Sequence, residues 1–240
     1  MRIAILGGSG RMGSALALRL ANAGHHVLVG SRDARRACET AGLLGPAVSG
    51  GAPLEGALLR DAAAAADVVV VAVPDAGHAA VLRQVASALR GRVVLDCCVC
   101  RDPRDPGTWR RPAEGSAAAR ARRLAPRSAA VAAALHTVGA ESLRRPGRHT
   151  PGDVLVAADG AAAREAAGLV ASALGLRWWE AGDLGVAGSL EQMACMLSRL
   201  SARHGAPAPT IRLHGLERAA RDGPGPRADL AAVAQRGGGM

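Results

Sequence analysis

The sequence predicts an α/β protein with a Rossmann-type, doubly wound parallel sheet, and three observations lead to that prediction. Apolar runs of strand type alternate with alanine-rich stretches of helical pattern along most of the 240 residues. The runs are continuously apolar, which is typical of parallel strands that are covered by helices on both faces. A glycine cluster in the segment IAILGGSGRMG (residues 3–13) follows the first run, where the first strand would turn into the first helix.

The first half of the chain repeats strand and helix in regular order. Strands are predicted at RIAILG (2–7), HHVLVG (25–30), DVVVVAVP (67–74) and RVVLDC (92–97). Helices are predicted over residues 11–23, from residue 33 onward, and over residues 76–89.

The second half is less regular. Residues 98–127 interrupt the alternation with prolines, aspartates and eight arginines around Trp109. Strands then follow at 128–135, 153–159 and 176–182, and helices end near 174 and run over 187–203. We expect a Rossmann domain at 1–135, a small C-terminal α/β domain at 136–216, and a flexible tail at 217–240 with at best a short helix near 229–235.

Composition limits the classes of partner. The formal net charge is +10, but every basic side chain is arginine, a bias that a GC-rich coding sequence would leave. There is no basic helix interleaved with aromatic residues, so we expect no nucleic-acid partner. The sequence has neither an apolar stretch of about 18 residues nor a signal sequence, so we expect no membrane association. Five cysteines give no disulfide framework, which favours a cytoplasmic location.

The glycine cluster matches G-x-G-x-x-G at Gly8, Gly10 and Gly13, with a strand before it and a helix after it. In that setting the glycines allow a tight turn, close approach of a pyrophosphate to the backbone, and close packing of the helix. The loop therefore predicts a dinucleotide site, and the alternative is that the glycines only permit packing. The predicted contacts are Gly8, Ser9, Gly10, Arg11, Met12 and Gly13.

The end of the second predicted strand indicates which dinucleotide binds. Where an NAD-specific domain carries a carboxylate for the ribose hydroxyls, this chain reads Gly30, Ser31, Arg32, and Arg36 follows. A serine hydroxyl and a guanidinium can bind a 2′-phosphate that a carboxylate would repel. NADP(H) is therefore the predicted cofactor, and a solvated helix face is the alternative interpretation of these arginines.

Several segments together resemble the NADP-dependent oxidoreductases of the deazaflavin coenzyme F420. They are GGSGRMGSALALRLANAGHHVLVGSR, ADVVVVAVP, AALHTVGAESL, GDVLVAAD, GLRWWEAGDL and TIRLHGL, and they run with gaps from Met1 to Leu216. The resemblance implies an NADP-binding Rossmann domain, a small C-terminal domain that completes the cleft, a homodimer, and direct hydride exchange between NADP(H) and coenzyme F420.

The resemblance also implies roles for single residues. Ser9 matches a family threonine at the cofactor phosphates, Ser31 and Arg32 match the readers of the 2′-phosphate, and Arg36 replaces a family lysine. His136 matches a family histidine beside the deazaflavin, which makes it the candidate catalytic residue. The same matching segments place four more residues at the cofactor: Val73, Pro74, Thr137 and Ala140.

The second-substrate side departs from the family pattern at three places: Asp75, the loop Cys97–Cys100, and the segment 182–188. Two alternatives therefore stay open beside the deazaflavin reaction. One is a reductase, dependent on NADPH or on reduced F420, that acts on an imine or a dehydroamino acid. The other is a non-catalytic NADP-binding sensor.

Four further groups of residues have a predicted role. Cys97 and Cys100 have C-x-x-C spacing, which could form a redox pair. A zinc site would need two further ligands, and because no second pair is visible, no metal is predicted. The favoured interpretation is that both cysteines are small apolar lining residues. His78 could approach the nicotinamide, but it is expected to cap a helix start or to meet solvent. Trp178 and Trp179 should face opposite sides of a strand.

A helical stripe of apolar residues supports the dimer: Leu190, Met193, Met196, Leu197 and Leu200.

Arginines could steer an anionic second substrate toward the cleft. The eight in residues 101–127 are joined by Arg144, Arg145 and Arg148 after His136, and codon bias explains the same arginines without a ligand.

Overall fold

A computed structural model describes residues 1–144 and 152–216. Eight strands form one sheet in the order β3-β2-β1-β4-β5-β6-β7-β8. All neighbouring strands are parallel except β6 and β7, which are antiparallel. The strands are β1 Arg2–Leu6, β2 His26–Ser31, β3 Leu54–Leu58, β4 Val68–Val71, β5 Val93–Asp96, β6 Ala130–Ala133, β7 Asp153–Ala158 and β8 Arg177–Gly182.

Helices cover both faces of the sheet, so the predicted Rossmann-type α/β class is confirmed. They are α1 Arg11–Asn22, α2 Ala34–Leu44, α3 Leu59–Ala65, α4 Asp75–Val85, α5 Ala117–Leu124, α6 Ala140–Leu143, α7 Ala161–Ala173 and α8 Ala187–His204. None of the helices in the described ranges combines the length and apolarity that a membrane crossing requires.

Alternate residues of β1 enter different cores. Ile3 and Ile5 pack on the face that α1 and α7 cover, while Ala4 and Leu6 pack on the face of α3, α4 and α5, and all four are fully buried. A strand buried on both faces needs apolar side chains at every position, which is why its sequence shows no alternation.

The edge strand β3 and the short helices α3 and α6 are absent from the sequence-based prediction. Strand β3 reads LEGAL and its side chains are exposed or half-buried, so it lacks the apolar run that marks the inner strands. It docks on α2 through a glycine. A Cβ built on Gly56 would lie 2.3 Å from the backbone of Ala37 and Cys38.

The C-terminal residues extend the same sheet. Strand β7 pairs with β6 through Ala132↔Ala158 and Ala133↔Ala157, and β8 then pairs with β7. The domain division at residue 136 stays a prediction. The predicted tail at 217–240, its helix near 229–235, Arg145 and Arg148 lie outside the described residues.

Candidate functional site

The turn between β1 and α1 has the shape that the glycine motif predicts. Gly7, which precedes the motif, adopts the left-handed φ of +85°. The Gly8 amide donates to the carbonyl oxygens of Ile5 and Gly30, at 3.0 and 3.2 Å. A Cβ on Gly13 would lie 2.3 Å from the Gly7 carbonyl oxygen and 2.7 Å from the Gly8 Cα. The backbone of the loop therefore packs directly against the first turn of α1.

The N-terminus of α1 is open to an anion. Gly10 is the N-cap residue, no side chain caps the helix, and its first turn has no acidic residue. The first amides of a helix have no partner within it and carry partial positive charge, which suits a diphosphate. Ser9 is half-buried beside this terminus, and Arg11 and Met12 form the first turn. These residues fit the predicted dinucleotide phosphates.

Ser31 ends β2, next to the glycine loop, and is 7% exposed. Its Oγ accepts a hydrogen bond from the Asp33 amide at 3.3 Å, and Asp33 in turn caps α2. Arg32 and Arg36 are exposed, and within the described ranges neither forms an ion pair, whereas Arg35 pairs with Glu39 at 2.7 Å. Two guanidinium groups thus remain available at the position predicted for a 2′-phosphate.

A cleft of about 1010 Å³ extends from the glycine loop to α8. The turns after β4 and β5 line it, together with residues 135–141 and 207–209. It brings together eight of the predicted site residues: Gly10, Arg11, Met12, Val73, Pro74, His136, Thr137 and Ala140. The remaining six do not line it and lie at the glycine loop, in α1, at the end of β2 or in α2: Gly8, Ser9, Gly13, Ser31, Arg32 and Arg36.

His136 lies in the cleft wall and is 8% exposed. The buried Leu135 before it takes a left-handed φ of +69°, a strained conformation for a leucine. His136 Nε2 lies 3.1 Å from the Cys98 carbonyl oxygen, and its Nδ1 has no hydrogen-bond partner in the described part of the chain. Burial lowers the pKa of His136 below its usual value, so the ring is neutral at pH 7.

Asp75 anchors a network of ion pairs at the far side of the cleft. Its carboxylate accepts from Arg110 and Arg120, both at 2.8 Å, and from the Cys100 thiol at 3.3 Å. Burial would raise the pKa of Asp75, but the hydrogen bonds from Arg120 and Cys100 and the Arg120 charge outweigh it and lower the pKa. Asp75 therefore remains an anion whose charge the arginines neutralise.

Glu191 of α8 fixes the long loop between β5 and α5. It is fully buried and accepts from the amides of Cys100 and Ala117, at 2.9 and 2.6 Å, and from Trp109 Nε1 at 2.9 Å. One carboxylate thus connects three points of a loop that the sequence predicts only as irregular. A charged residue on the buried stripe of a helix is the signal that could have identified it.

His78 was expected to cap a helix or to meet solvent, and that expectation is wrong. Its ring is fully buried, with Nε2 2.6 Å from Asp96 Oδ2, and Asp96 is fully buried too. Burial acts against the charge on both groups, but each partner's charge outweighs it, so the pKa of His78 is raised and the pKa of Asp96 is lowered. The side chains form an ion pair at the end of β5, where the sequence shows an aspartate directly after an apolar strand.

The cysteines after β5 act as thiol donors. The thiols of Cys97 and Cys98 donate to the Val71 carbonyl oxygen at 3.0 and 3.3 Å. Burial raises the pKa of both, which keeps them protonated. The ligand atoms of His78, Asp96 and Cys98 lie within 4.8 Å of one another, a spacing that one metal ion could bridge.

Most of the arginines in residues 101–127 do not line the cleft. Arg122 contacts Asp159 at 2.9 Å, and Arg123 contacts Glu114. Only Arg101 and Arg110 of the eight line the cleft. The supply of free positive charge is smaller than the sequence indicates.

The apolar stripe on α8 divides in the structure. Leu190 and Leu197 are buried, whereas Met196 and Leu200 are 57% and 40% exposed. On β8, Trp178 packs against the core, where a Cβ on Gly168 would lie 2.4 Å from its ring.

Comparison with known proteins agrees with this geometry. Residues 2–99 match the family described as NADP oxidoreductase, coenzyme F420-dependent. The chain is 37% identical over 226 residues to the F420-dependent NADP reductase of Methanothermobacter thermautotrophicus, covering 90% of this chain and 96% of that protein. It is 35% identical over 214 residues to the reductase of the same name from Methanothermobacter marburgensis, covering 85% and 94%.

A solved structure described as a putative F420-dependent NADP reductase from Arthrobacter sp. FB24 superposes with a TM-score of 0.75. It is 28% identical and covers 89% of this chain and 99% of its own. A glycine loop that leads into an open helix N-terminus, a cleft lined by a buried histidine, and this likeness along nine tenths of the sequence lead to one conclusion: the chain belongs to the family of F420-dependent NADP reductases.

Proposed function

We propose that the chain transfers a hydride between NADP(H) and the deazaflavin coenzyme F420 in the cleft. The observation that carries the proposal is the continuity of this cleft, which runs from the open N-terminus of α1 to His136. When they are bound, the two cofactors supply the hydride donor and acceptor. The protein contributes their position and the exclusion of water.

The glycine loop and the end of β2 would hold NADP(H). The amides at the start of α1 suit the diphosphate, and Ser31, Arg32 and Arg36 suit the 2′-phosphate. Val73 and Pro74, directly after β4, line the cleft beside the loop and would guide the nicotinamide into it. The last residue of β2 is Ser31, where an NAD-specific domain carries a carboxylate that would repel the 2′-phosphate.

His136, Thr137 and Ala140 line the same cleft. Thr137 Oγ1 donates to the Asp153 carbonyl oxygen at 2.6 Å, which fixes this segment to β7. His136 is neutral, so it can pack against or hydrogen-bond a deazaflavin ring without adding charge to the cleft. We infer that it sets the distance between the two rings, and direct hydride transfer depends on that distance.

Two arginines would receive the anionic part of the second substrate. The Arg110 guanidinium is 52% exposed while Asp75 holds it at the cleft. The Arg101 side chain donates to Ser198 Oγ at 3.1 Å and to the Pro106 carbonyl oxygen. Charge at these positions suits the phosphate and glutamate tail of the deazaflavin coenzyme.

We also infer a cytoplasmic homodimer. The exposed Met196 and Leu200 lie on one face of α8, with Met193 half-buried beside them. Such a patch is typical of a surface that another chain covers. Sedimentation at micromolar concentration tests this inference, and a particle of one chain's mass would contradict it.

The function is tested by mixing the protein with coenzyme F420 and NADPH and following the visible absorbance band of the oxidised deazaflavin. We expect the band to fade with NADPH and to return with NADP⁺ and reduced F420. His136→Ala should slow this turnover while the NADPH dissociation constant, read from nucleotide fluorescence, stays unchanged.

A band that never changes from pH 5 to 9 would overturn the deazaflavin reaction. NADPH consumption with an added imine or dehydroamino acid would then support the second reductase hypothesis. NADPH binding without consumption would support the sensor.

A further inference from the structure

A line of hydrogen bonds leads from a fully buried ion pair to the cleft. His78 Nε2 contacts Asp96 Oδ2 at 2.6 Å, and the other carboxylate oxygen, Oδ1, accepts from the Cys98 amide at 2.9 Å. The Cys98 carbonyl oxygen lies 3.1 Å from His136 Nε2. The residues come from α4, β5 and the turn that follows each of β5 and β6, so the line connects separate parts of the fold.

Asp96 has both of its oxygens occupied in this line. A buried ion pair stabilises a fold little compared with apolar residues of the same volume, but removing one partner leaves a buried charge that destabilises strongly. Its presence at the end of β5 is therefore poorly explained by stability alone. What the pair does visibly is hold the backbone at Cys98: Asp96 accepts from the Cys98 amide, and the thiols of Cys97 and Cys98 donate to the Val71 carbonyl oxygen.

The Cys98 carbonyl group, which belongs to the next peptide, between Cys98 and Val99, determines the state of His136. A carbonyl oxygen only accepts hydrogen bonds, so the His136 nitrogen that faces Cys98 must carry the proton. In a neutral ring Nδ1 then holds a lone pair, and Nδ1 is the nitrogen without a partner among residues 1–144 and 152–216. Orientation and tautomer of the ring both follow from the position of one carbonyl group.

We propose that Asp96, supported by His78, is a positioning residue that holds His136 in the Nε2–H tautomer and in one orientation for hydride transfer. The proposal rests on the role of His136 in the proposed function. Asp96 acts through the backbone of Cys98, which it holds at the amide while the carbonyl oxygen meets His136, and Asp96 does not line the cleft.

The first experiment reads the tautomer directly, without activity. Protein labelled with ¹⁵N-histidine is studied by NMR, and the His136 signals are assigned from their loss in His136→Gln. We expect a proton on Nε2 and a bare Nδ1 in the wild type. A proton on Nδ1 overturns the proposal whether or not any variant folds.

The second experiment changes Asp96. Asp96→Ala should give a mixture of His136 tautomers and lower kcat for F420 reduction about 10-fold, while the NADPH dissociation constant stays unchanged. Asp96→Asn keeps an acceptor for the Cys98 amide and a donor for His78, so it should restore one tautomer and most of kcat.

Asp67→Ala is the matched control, because Asp67 also accepts a backbone amide in this sheet, from Arg2 at 2.8 Å, but stands at the opposite end of the strands. Equal kcat in Asp96→Ala and Asp67→Ala would overturn the proposal. A shift of the His78 signals on addition of Zn²⁺ would assign the group of His78, Asp96 and Cys98 to a metal ion and overturn it too. A wild type with the expected tautomer but no F420 turnover would instead overturn the proposed function.

Discussion

The two ends of the cleft are built in different ways. The end at the glycine loop is formed by backbone, with amides at the start of α1 and glycines whose Cβ positions are filled by neighbouring main chain. The far end is formed by side chains, where Asp75 joins Arg110 and Arg120 and Glu191 joins the loop to α8. The shape of the first end is therefore set by the backbone conformation of the loop, and the shape of the second end is set by which side chains pair with one another.

This difference predicts which substitutions each end of the cleft tolerates. At the glycine loop, only substitutions that add atoms at the packed glycine positions should lower stability or weaken NADPH binding. At the far end, the loss of one carboxylate should release several donors at once. The comparison therefore predicts that variants at one end leave binding at the other end intact.

The largest effect is expected for Gly13→Ala. The new Cβ would meet the Gly7 carbonyl oxygen at 2.3 Å, and because backbone cannot move aside easily, we expect a loss of about 3 kcal/mol in the free energy of unfolding. NADPH binding should weaken at least tenfold, measured by nucleotide fluorescence. Gly42→Ala in α2 is the control, since nothing lies within 4 Å of its Cβ position. Normal NADPH affinity in Gly13→Ala would contradict the backbone account of the loop.

Glu191→Gln should have the next largest effect. The amide of glutamine can accept fewer of the three hydrogen bonds, so we expect a destabilisation of about 2 kcal/mol by chemical denaturation. Turnover with F420 should fall while the NADPH dissociation constant is unchanged. Glu180→Gln, at an exposed pair with Arg164, serves as control and should change stability little. A weakened NADPH affinity would show that the two ends are coupled.

Arg32→Ala tests the choice of cofactor. Removing one charge-assisted hydrogen bond to the 2′-phosphate should weaken NADPH binding by about 2 kcal/mol and leave NADH binding nearly unchanged. Arg35→Ala is the matched control, because that guanidinium already pairs with Glu39. Equal dissociation constants of the wild type for NADPH and NADH would contradict the NADP assignment.

The smallest effect concerns pH. The pKa of His136 is lowered by burial, so the unfolded chain takes up the proton first, and stability should fall as the pH drops below about 6.5. Burial opposes the charge of His78 but Asp96 raises its pKa, so its contribution is complete below about 6.5 and is lost as the pH rises through the raised value. Thermal unfolding from pH 5 to 9 should show both slopes, and His136→Gln should flatten only the acid one. An unchanged acid slope would assign it to another group.

The sequence predicted most of the first half of the fold, because inner parallel strands need apolar residues at every position and are therefore visible as continuous apolar runs. It missed β3, whose sheet-edge position allows Glu55 and Gly56. It grouped Cys97 and Cys100 by their spacing, whereas the structure gives each thiol a different acceptor, the Val71 carbonyl oxygen and Asp75.

What the sequence determined by itself is the glycine loop, the serine and arginine at positions 31 and 32 where an NAD-specific domain carries a carboxylate, and the sheet class, since each depends on residues that are close together in the chain. What only the tertiary structure decided is which arginines neutralise the Asp75 carboxylate and which carbonyl oxygen orients the His136 ring. Asp75 meets Arg120 across 45 residues of sequence, and Glu191 meets Cys100 across 91. Local spacing carries no information about such pairs, because the packing of α5 against α4 and α8 brings the partners together.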